Sequence, residues 1–312
     1  MTTFAFVFPG QGSQATGMLD AWGDNAAVRQ TLQEASDALG TDISQLIHAG
    51  PKEQLDLTTN TQPVMLTAGI ACYRAWLAAT GMAPSVVAGH SLGEYTALVA
   101  AGSLSLADAL PLVRDRAQAM QDAVAVGAGG MAAILGLDAQ AVREGCAEVV
   151  AVTGEAVEAV NFNDPKQTVI AGTKAGVEKA CEVLKAKGAK RALLLSVSAP
   201  FHSSLMKPAA ERFRGRLAET HFAVPKIDVV NNIDVKVETE PAAIREALYA
   251  QAFGPVRWVE VVQAIRARGV SHVIECGPGK VLAGLVRRID ADAVGAAVFD
   301  PASLADVKGM LA

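Results

Sequence analysis

The run Gly89-His90-Ser91-Leu92-Gly93 fits the pattern Gly-x-Ser-x-Gly. A short apolar stretch, Ser85-Val86-Val87-Ala88, leads into it, and the segment Leu92 to Ala101 reads as the helix leading out. Strand, tight turn and helix make the setting of a nucleophile elbow, in which the serine hydroxyl stands exposed above a sheet. Glycines flank the turn because larger side chains would clash where the backbone folds so tightly. The helix that follows aims unpaired amide groups at the same spot, which favours a developing oxyanion. Ser91 is therefore the candidate nucleophile. The plainer alternative is a glycine-rich turn with an incidental serine.

A serine hydroxyl attacks poorly until a base takes its proton. Five histidines are available: His48, His90, His202, His221 and His272. His90 adjoins Ser91, but adjacent residues on such a turn point apart, so it reads as packed or exposed. His202 stands just past an apolar strand, in the loop Ser198 to Ser204, and strand-end loops are where open α/β sheets build their sites. It also follows the serine in the chain, as in α/β-hydrolases. No acidic residue except Asp164 offers itself in a strand-end loop between the two. A hydrolase triad would want one to hold the imidazole, so the pattern tilts away from plain hydrolysis.

A second glycine run, Gly10-Gln11-Gly12-Ser13-Gln14-Ala15, formally fits a dinucleotide fingerprint. That reading needs a second strand ending in an acidic residue about 20 positions later. The helical stretch Ala26 to Leu39 follows instead, so a nucleotide site is not expected.

The elements that must hold these residues alternate. Phe4 to Phe8 is a buried strand, and Pro63 to Ala79 a helix with Pro63 in its first turn. Alternation of this kind implies a mostly parallel sheet covered on both faces. After the small, flexible stretch Ala123 to Gly130, six segments follow. They are strand Met131–Leu137, helix Ala139–Val149, strand Ala156–Phe162, strand Thr168–Ala171, helix Lys174–Lys187 and strand Arg191–Val197. That β-α-β-β-α-β order is the ferredoxin-like unit. It is expected as a subdomain over residues 126–197, inserted between 1–125 and 198–312. The larger alternation then resumes with a helix from Pro208 to Glu219, strand Ile227–Asn231, helix Ala243–Ala252 and strand Val273–Cys276.

The 312 residues are 51% apolar and 19% charged, enough for a sizeable core. A net charge of −5 argues against a general nucleic-acid binder. No apolar stretch approaches the roughly 20 residues that span a bilayer, and the first residues read neither as a signal peptide nor as an anchor. The four cysteines (Cys72, Cys146, Cys181, Cys276) are scattered without metal-ligand spacing, as buried thiols of a reduced, cytoplasmic protein would be.

Taken together, PGQGSQ, GHSLGEY, VNFN, the serine-rich loop around His202 and ECGPGKVL closely resemble the malonyl-CoA:acyl-carrier-protein transacylases of type II fatty acid synthesis. The likeness covers nearly the whole chain. It implies an α/β-hydrolase-like core with a ferredoxin-like insertion, and it assigns roles that spacing alone does not. Ser91 would carry the acyl group, with His202 as general base and acid. The backbone amides of Gln11 and Leu92 would form the oxyanion hole. A main-chain carbonyl at Gln251 would orient the histidine, which accounts for the absent acid.

The resemblance also implies that Arg116 binds the malonyl carboxylate, a match for its planar, permanently charged fork. Periodicity alone leaves a tie. Leu110, Val113, Ala117, Met120 and Val124 form an apolar stripe, and at about 100° per residue Arg114 and Arg116 flank it almost equally. Pro111 suggests a kink or a later helix start. Phe201, beside His202, would crowd a C2 methyl and favour malonyl over methylmalonyl.

The implied partners are malonyl-CoA and acyl carrier protein. CoA enters as part of a thioester substrate, no metal or other cofactor is expected, and the protein is expected to act as a monomer. Carrier proteins are acidic, so a basic dock is needed. Lys185, Lys187, Lys190 and Arg191 form one candidate, and Lys280, Arg287 and Arg288 another. The rival readings are a polyketide malonyl transferase, a serine thioesterase or hydrolase, and a non-catalytic module that binds carrier protein.

Overall fold

The computed structural model describes residues 3–125, 127–197 and 199–312. Its strands are β1 (Phe4–Phe8), β2 (Val86–Gly89), β3 (Gly129–Leu135), β4 (Val157–Asp164), β5 (Gln167–Thr173), β6 (Arg191–Leu194), β7 (Asp228–Val230), β8 (His272–Cys276) and β9 (Val294–Val298). They form two sheets. The larger is wholly parallel, in the order β7-β2-β1-β8-β9.

The central strand explains that arrangement. All five residues of β1, Phe-Ala-Phe-Val-Phe, are buried, as a parallel strand covered on both faces requires. Alternate side chains serve opposite layers. Phe4, Phe6 and Phe8 meet Tyr73 and Trp76 of the helix Thr58–Thr80, Phe6 and Trp76 edge to face at 5.5 Å. Ala5 and Val7 turn the other way, toward Val261, Val262 and Ile265 of the helix Trp258–Ala267.

The helix Thr58–Thr80 starts five residues before the expected Pro63. The run Thr-Thr-Asn-Thr has weak helix propensity, but side-chain bonds hold its first turn. Thr61 Oγ1 donates to the carbonyls of Leu55 and Leu57, and Asn60 Nδ2 to that of Gln54. Pro111 likewise does not delay its helix, which runs Leu106–Gln121. Ser105 caps it by accepting the Asp108 amide, so Pro111 falls in the second turn.

The smaller sheet is antiparallel throughout, in the order β4-β5-β3-β6. Helices Ala139–Thr153 and Lys174–Ala186 cover one face, burying Val142, Val149, Val177 and Leu184 against Ala132, Ile134 and Ile170. This is the expected β-α-β-β-α-β unit, although β6 ends at Leu194 rather than Val197. The expected junctions fall on Val126 and Ser198, which lie outside the described residues. A parallel bridge joins the two sheets' territories: Phe162 N–H donates to Val256, and Val256 N–H to Val160. Among the described residues no helix is long and apolar enough to cross a membrane.

Candidate active site

Ser91 sits at φ 54°, in the left-handed region that non-glycine residues seldom occupy. Such a conformation costs about 1–3 kcal/mol and persists only where neighbours enforce it. The enforcement is visible. Ser91 N–H donates to Asn232 Oδ1 at 2.7 Å, while Asn232 Nδ2 donates to the Gly89 carbonyl at 2.8 Å. Gln251 Nε2 donates to the Ser91 carbonyl at 2.9 Å. The two glycines are sterically required: a Cβ on Gly89 would lie 1.8 Å from the Gly93 backbone, and one on Gly93 2.1 Å from the Phe8 carbonyl oxygen.

His202 Nε2 lies 2.7 Å from Ser91 Oγ. Its Nδ1 lies 3.0 Å from the Gln251 carbonyl oxygen and 3.2 Å from that of Gly254. Both are acceptors, so Nδ1 carries the proton and Nε2 is left to receive the serine's. Burial, helped by the Arg116 charge, pushes the imidazolium down to about 3. The resting ring is therefore neutral near pH 7. Asp164 is not its orienting acid: that carboxylate accepts from Arg288 Nε at 2.7 Å and from the Lys166 amide. His90 is packed, with Nε2 2.8 Å from Asn163 Oδ1 and its ring 5.5 Å from that of Trp258.

The tie between the two arginines is broken by where they point. Arg114 Nη1 donates to the Leu39 carbonyl of the helix Ala26–Leu39. Arg116 is only 2% exposed and turns into the cavity beside the serine. Its Nη1 donates to Gln62 Oε1 at 2.8 Å, and its Nη2 to Gln251 Oε1 at 2.9 Å and to Ser91 Oγ at 3.3 Å. Tyr95 lies under the guanidinium, 5.3 Å from ring centroid to Cζ. Arg116 Nε has no partner, and among the described residues no carboxylate pairs with this cation. A buried charge left this way is costly until an anion arrives.

Gln11 and Leu92 both line the cavity. Among the described residues neither backbone N–H has an acceptor, so both are available to an incoming oxyanion. Gly10 lets the first loop approach the elbow, since a Cβ there would lie 2.6 Å from the His90 carbonyl oxygen. Phe201 is half-buried on the cavity wall, beside Met131 and Val197. Three polar residues escaped the sequence reading: Asn232, Gln62 and Glu94. Glu94 was in view within GHSLGEY, as a carboxylate in an otherwise apolar first turn. Neither of the others carries a local mark of its role.

The basic groups fare unequally. Arg287 and Arg288 are committed to the Gly295 carbonyl and Asp164, and Lys280 lies over the Phe299 ring at 4.7 Å. In the other cluster Lys187 pairs with Glu148, while Lys185, Lys190 and Arg191 make no ion pair among the described residues.

The acyl transferase domain family matches residues 5–299. A malonyl CoA-acyl carrier protein transacylase of Escherichia coli strain K12 is 51% identical over 306 residues, 98% of either chain. The structure of an acyl-carrier-protein S-malonyltransferase from Burkholderia pseudomallei 1710b superposes with a TM-score of 0.97 at 68% identity, covering 99% of this chain and 100% of that one. A malonyl-transacylase solved in complex with its type II polyketide acyl-carrier protein superposes equally well, with a TM-score of 0.97 at 48% identity, over 99% of this chain and 100% of that one.

Proposed function

The chain belongs to the acyl transferase domain family, among its malonyl-CoA:acyl-carrier-protein transacylases, and we propose that Ser91 is the residue that carries its acyl group. The reaction moves malonyl from malonyl-CoA to the phosphopantetheine thiol of acyl carrier protein. The observation that carries the site assignment is Arg116, a buried cation without a carboxylate partner among the described residues, 3.3 Å from the candidate nucleophile.

In the first half-reaction Ser91 Oγ attacks the thioester carbon while His202 Nε2 takes its proton. The tetrahedral oxyanion rests on the Gln11 and Leu92 amides, donors each worth about 100-fold or more in rate. The C–S bond breaks and CoA leaves as the thiol, with the proton returned by His202. Malonyl-Ser91 remains, its free carboxylate on Arg116. That carboxylate also offsets the Arg116 charge, which adds to burial in holding His202 low, so the loaded site has the better base. The carrier thiol then repeats the steps in reverse and regenerates the serine. No resident cofactor enters this scheme.

We place this activity in fatty acid biosynthesis and in the cytoplasm. The four buried free thiols support a reducing compartment. Lys185, Lys190 and Arg191 are the better candidates for docking an acidic carrier, being free of ion pairs among the described residues.

Initial rates measured against both substrates test the scheme. Transfer through an acyl-serine predicts parallel double-reciprocal lines and, without a thiol acceptor, no more than one equivalent of released CoA per enzyme. Malonate release in water at the same rate would make the protein a hydrolase.

A further inference from the structure

Arg116 has an anion nearby after all, one amide removed. Gln251 Oε1 accepts from Arg116 Nη2 at 2.9 Å, and Gln251 Nε2 donates to Glu94 Oε2 at 3.1 Å. The same carboxylate oxygen accepts the Asn232 N–H at 2.8 Å. Glu94 and Arg116 are each 2% exposed, and Gln251 and Asn232 not at all. The amide is aligned with its carbonyl toward the cation and its N–H toward the anion, so each hydrogen bond polarises the other.

We propose that Glu94 is the counter-charge of Arg116, held one amide away by Gln251 so that the buried, permanently charged guanidinium is compensated while no carboxylate of the protein fills its fork. A direct glutamate–arginine pair would be bidentate and would fill that fork. No anion at all would leave a buried cation uncompensated. The relay meets both demands. Through Asn232 the same carboxylate also braces the elbow that holds Ser91. The proposal rests on the reading of Arg116 as the carboxylate site.

Glu94 does not touch the reacting atoms, so it is a positioning residue, and its charge is the quantity to test. The groups that face it are Arg116 from the helix Leu106–Gln121, Asp234 from the loop after β7, and the uncharged Gln251 and Asn232. Burial pushes its carboxyl up to about 7, against the pull of its N–H donors and Arg116. As pH falls through that value the counter-charge is lost, and the positive field opposing protonation of His202 grows.

Glu94→Gln keeps the shape and an acceptor oxygen while removing the charge. Its kcat should fall about tenfold, the equivalent of about one pKa unit at His202. KM for malonyl-CoA should not rise, and the wild-type acid limb near pH 7 should disappear. An unchanged kcat, or a raised KM with the limb intact, would overturn the proposal. A thermal-melting cycle gives an answer independent of activity. In the Arg116→Met background, Glu94→Gln should raise the melting temperature, because it removes a carboxylate that has lost its cation. A lower melting temperature for the double variant than for Arg116→Met alone would contradict the pairing. Malonyl-over-acetyl discrimination by wild type and Arg116→Met tests the underlying reading of Arg116 separately.

Discussion

The parallel and antiparallel sheets contribute different things to one cavity. The parallel sheet and its helices bring the polar groups: Gln11 after β1, Ser91 after β2, Asn232 after β7, and Gln62, Arg116 and Gln251 from surrounding helices. The antiparallel sheet and the segment following it bring mostly apolar wall: Met131 from β3, Leu195 and Val197 past β6, with Asn161 of β4 as the polar exception. Its edge strand β6 leaves Leu193 and Leu194 exposed at 49% and 62%. His202 lies just past where the chain returns from the insertion, and its orienting carbonyls belong to the helix Pro241–Gln251 and the loop after it. Charge is thus set by the rigid parallel core, where strand ends converge. The insertion supplies mostly apolar wall.

That contrast can be broken by substitution. The largest effect is expected at Arg116, where replacement by leucine removes a charged fork. Each charge-assisted hydrogen bond is worth about 1.5–3 kcal/mol, so kcat/KM for malonyl-CoA should fall about 10²-fold or more. Activity with acetyl-CoA, which has no carboxylate to hold, should fall far less. Equal losses for the two thioesters would remove Arg116 from substrate recognition.

A second test concerns the cost of keeping the buried imidazole of His202 neutral. The folded imidazole of His202 is held at about 3 against an ordinary 6.5. A depressed value means that its contribution to stability is complete above pH 6.5 and is lost as pH falls toward 3. The slope is about 1.4 kcal/mol per pH unit. Glu94 and Glu275, each raised by burial to about 7, work in the opposite sense: their contribution is complete below 4.5 and is lost as pH rises to 7. The difference between wild type and His202→Asn in denaturant unfolding isolates the histidine. The variant should lose less stability on acidification, and identical pH profiles would mean that the ring is free to protonate.

The smallest catalytic effect is expected in the insertion. Met131→Ala should cost about 2–3 kcal/mol of stability by opening a buried space. Its effect on kcat for malonyl should stay within about threefold, well under one decade of barrier. A loss on the scale of Arg116→Leu would show that the insertion does chemistry, and the division between the sheets would fail.

Much of this was legible from residues alone because it was local. The elbow announces itself by an apolar strand, two glycines and a helix within about a dozen residues, and β1 by an unbroken apolar run. The six elements of the insertion follow in order because their hydrophobic periods change cleanly. The rest depends on distant partners. Arg114 and Arg116 differ only in what the helices Ala26–Leu39 and Thr58–Thr80 place opposite them. Asn232 meets Ser91 across 141 residues of chain, and no local pattern marks an asparagine for that task. The first turn of Thr58–Thr80 rests on threonine and asparagine side-chain bonds that propensity scales count against a helix. The strand Val294–Val298, built of valine, glycine and alanine, is too small-sided to stand out.

Everything above turns on whether Ser91 is acylated by malonyl and gives it up to a carrier thiol. Intact-protein mass spectrometry after brief incubation with malonyl-CoA tests it most directly, with wild type and Ser91→Ala side by side. A malonyl adduct is expected on wild type alone, discharged on adding holo acyl carrier protein. An adduct that survives in Ser91→Ala, or wild type that releases CoA and malonate without ever carrying the group, would contradict it.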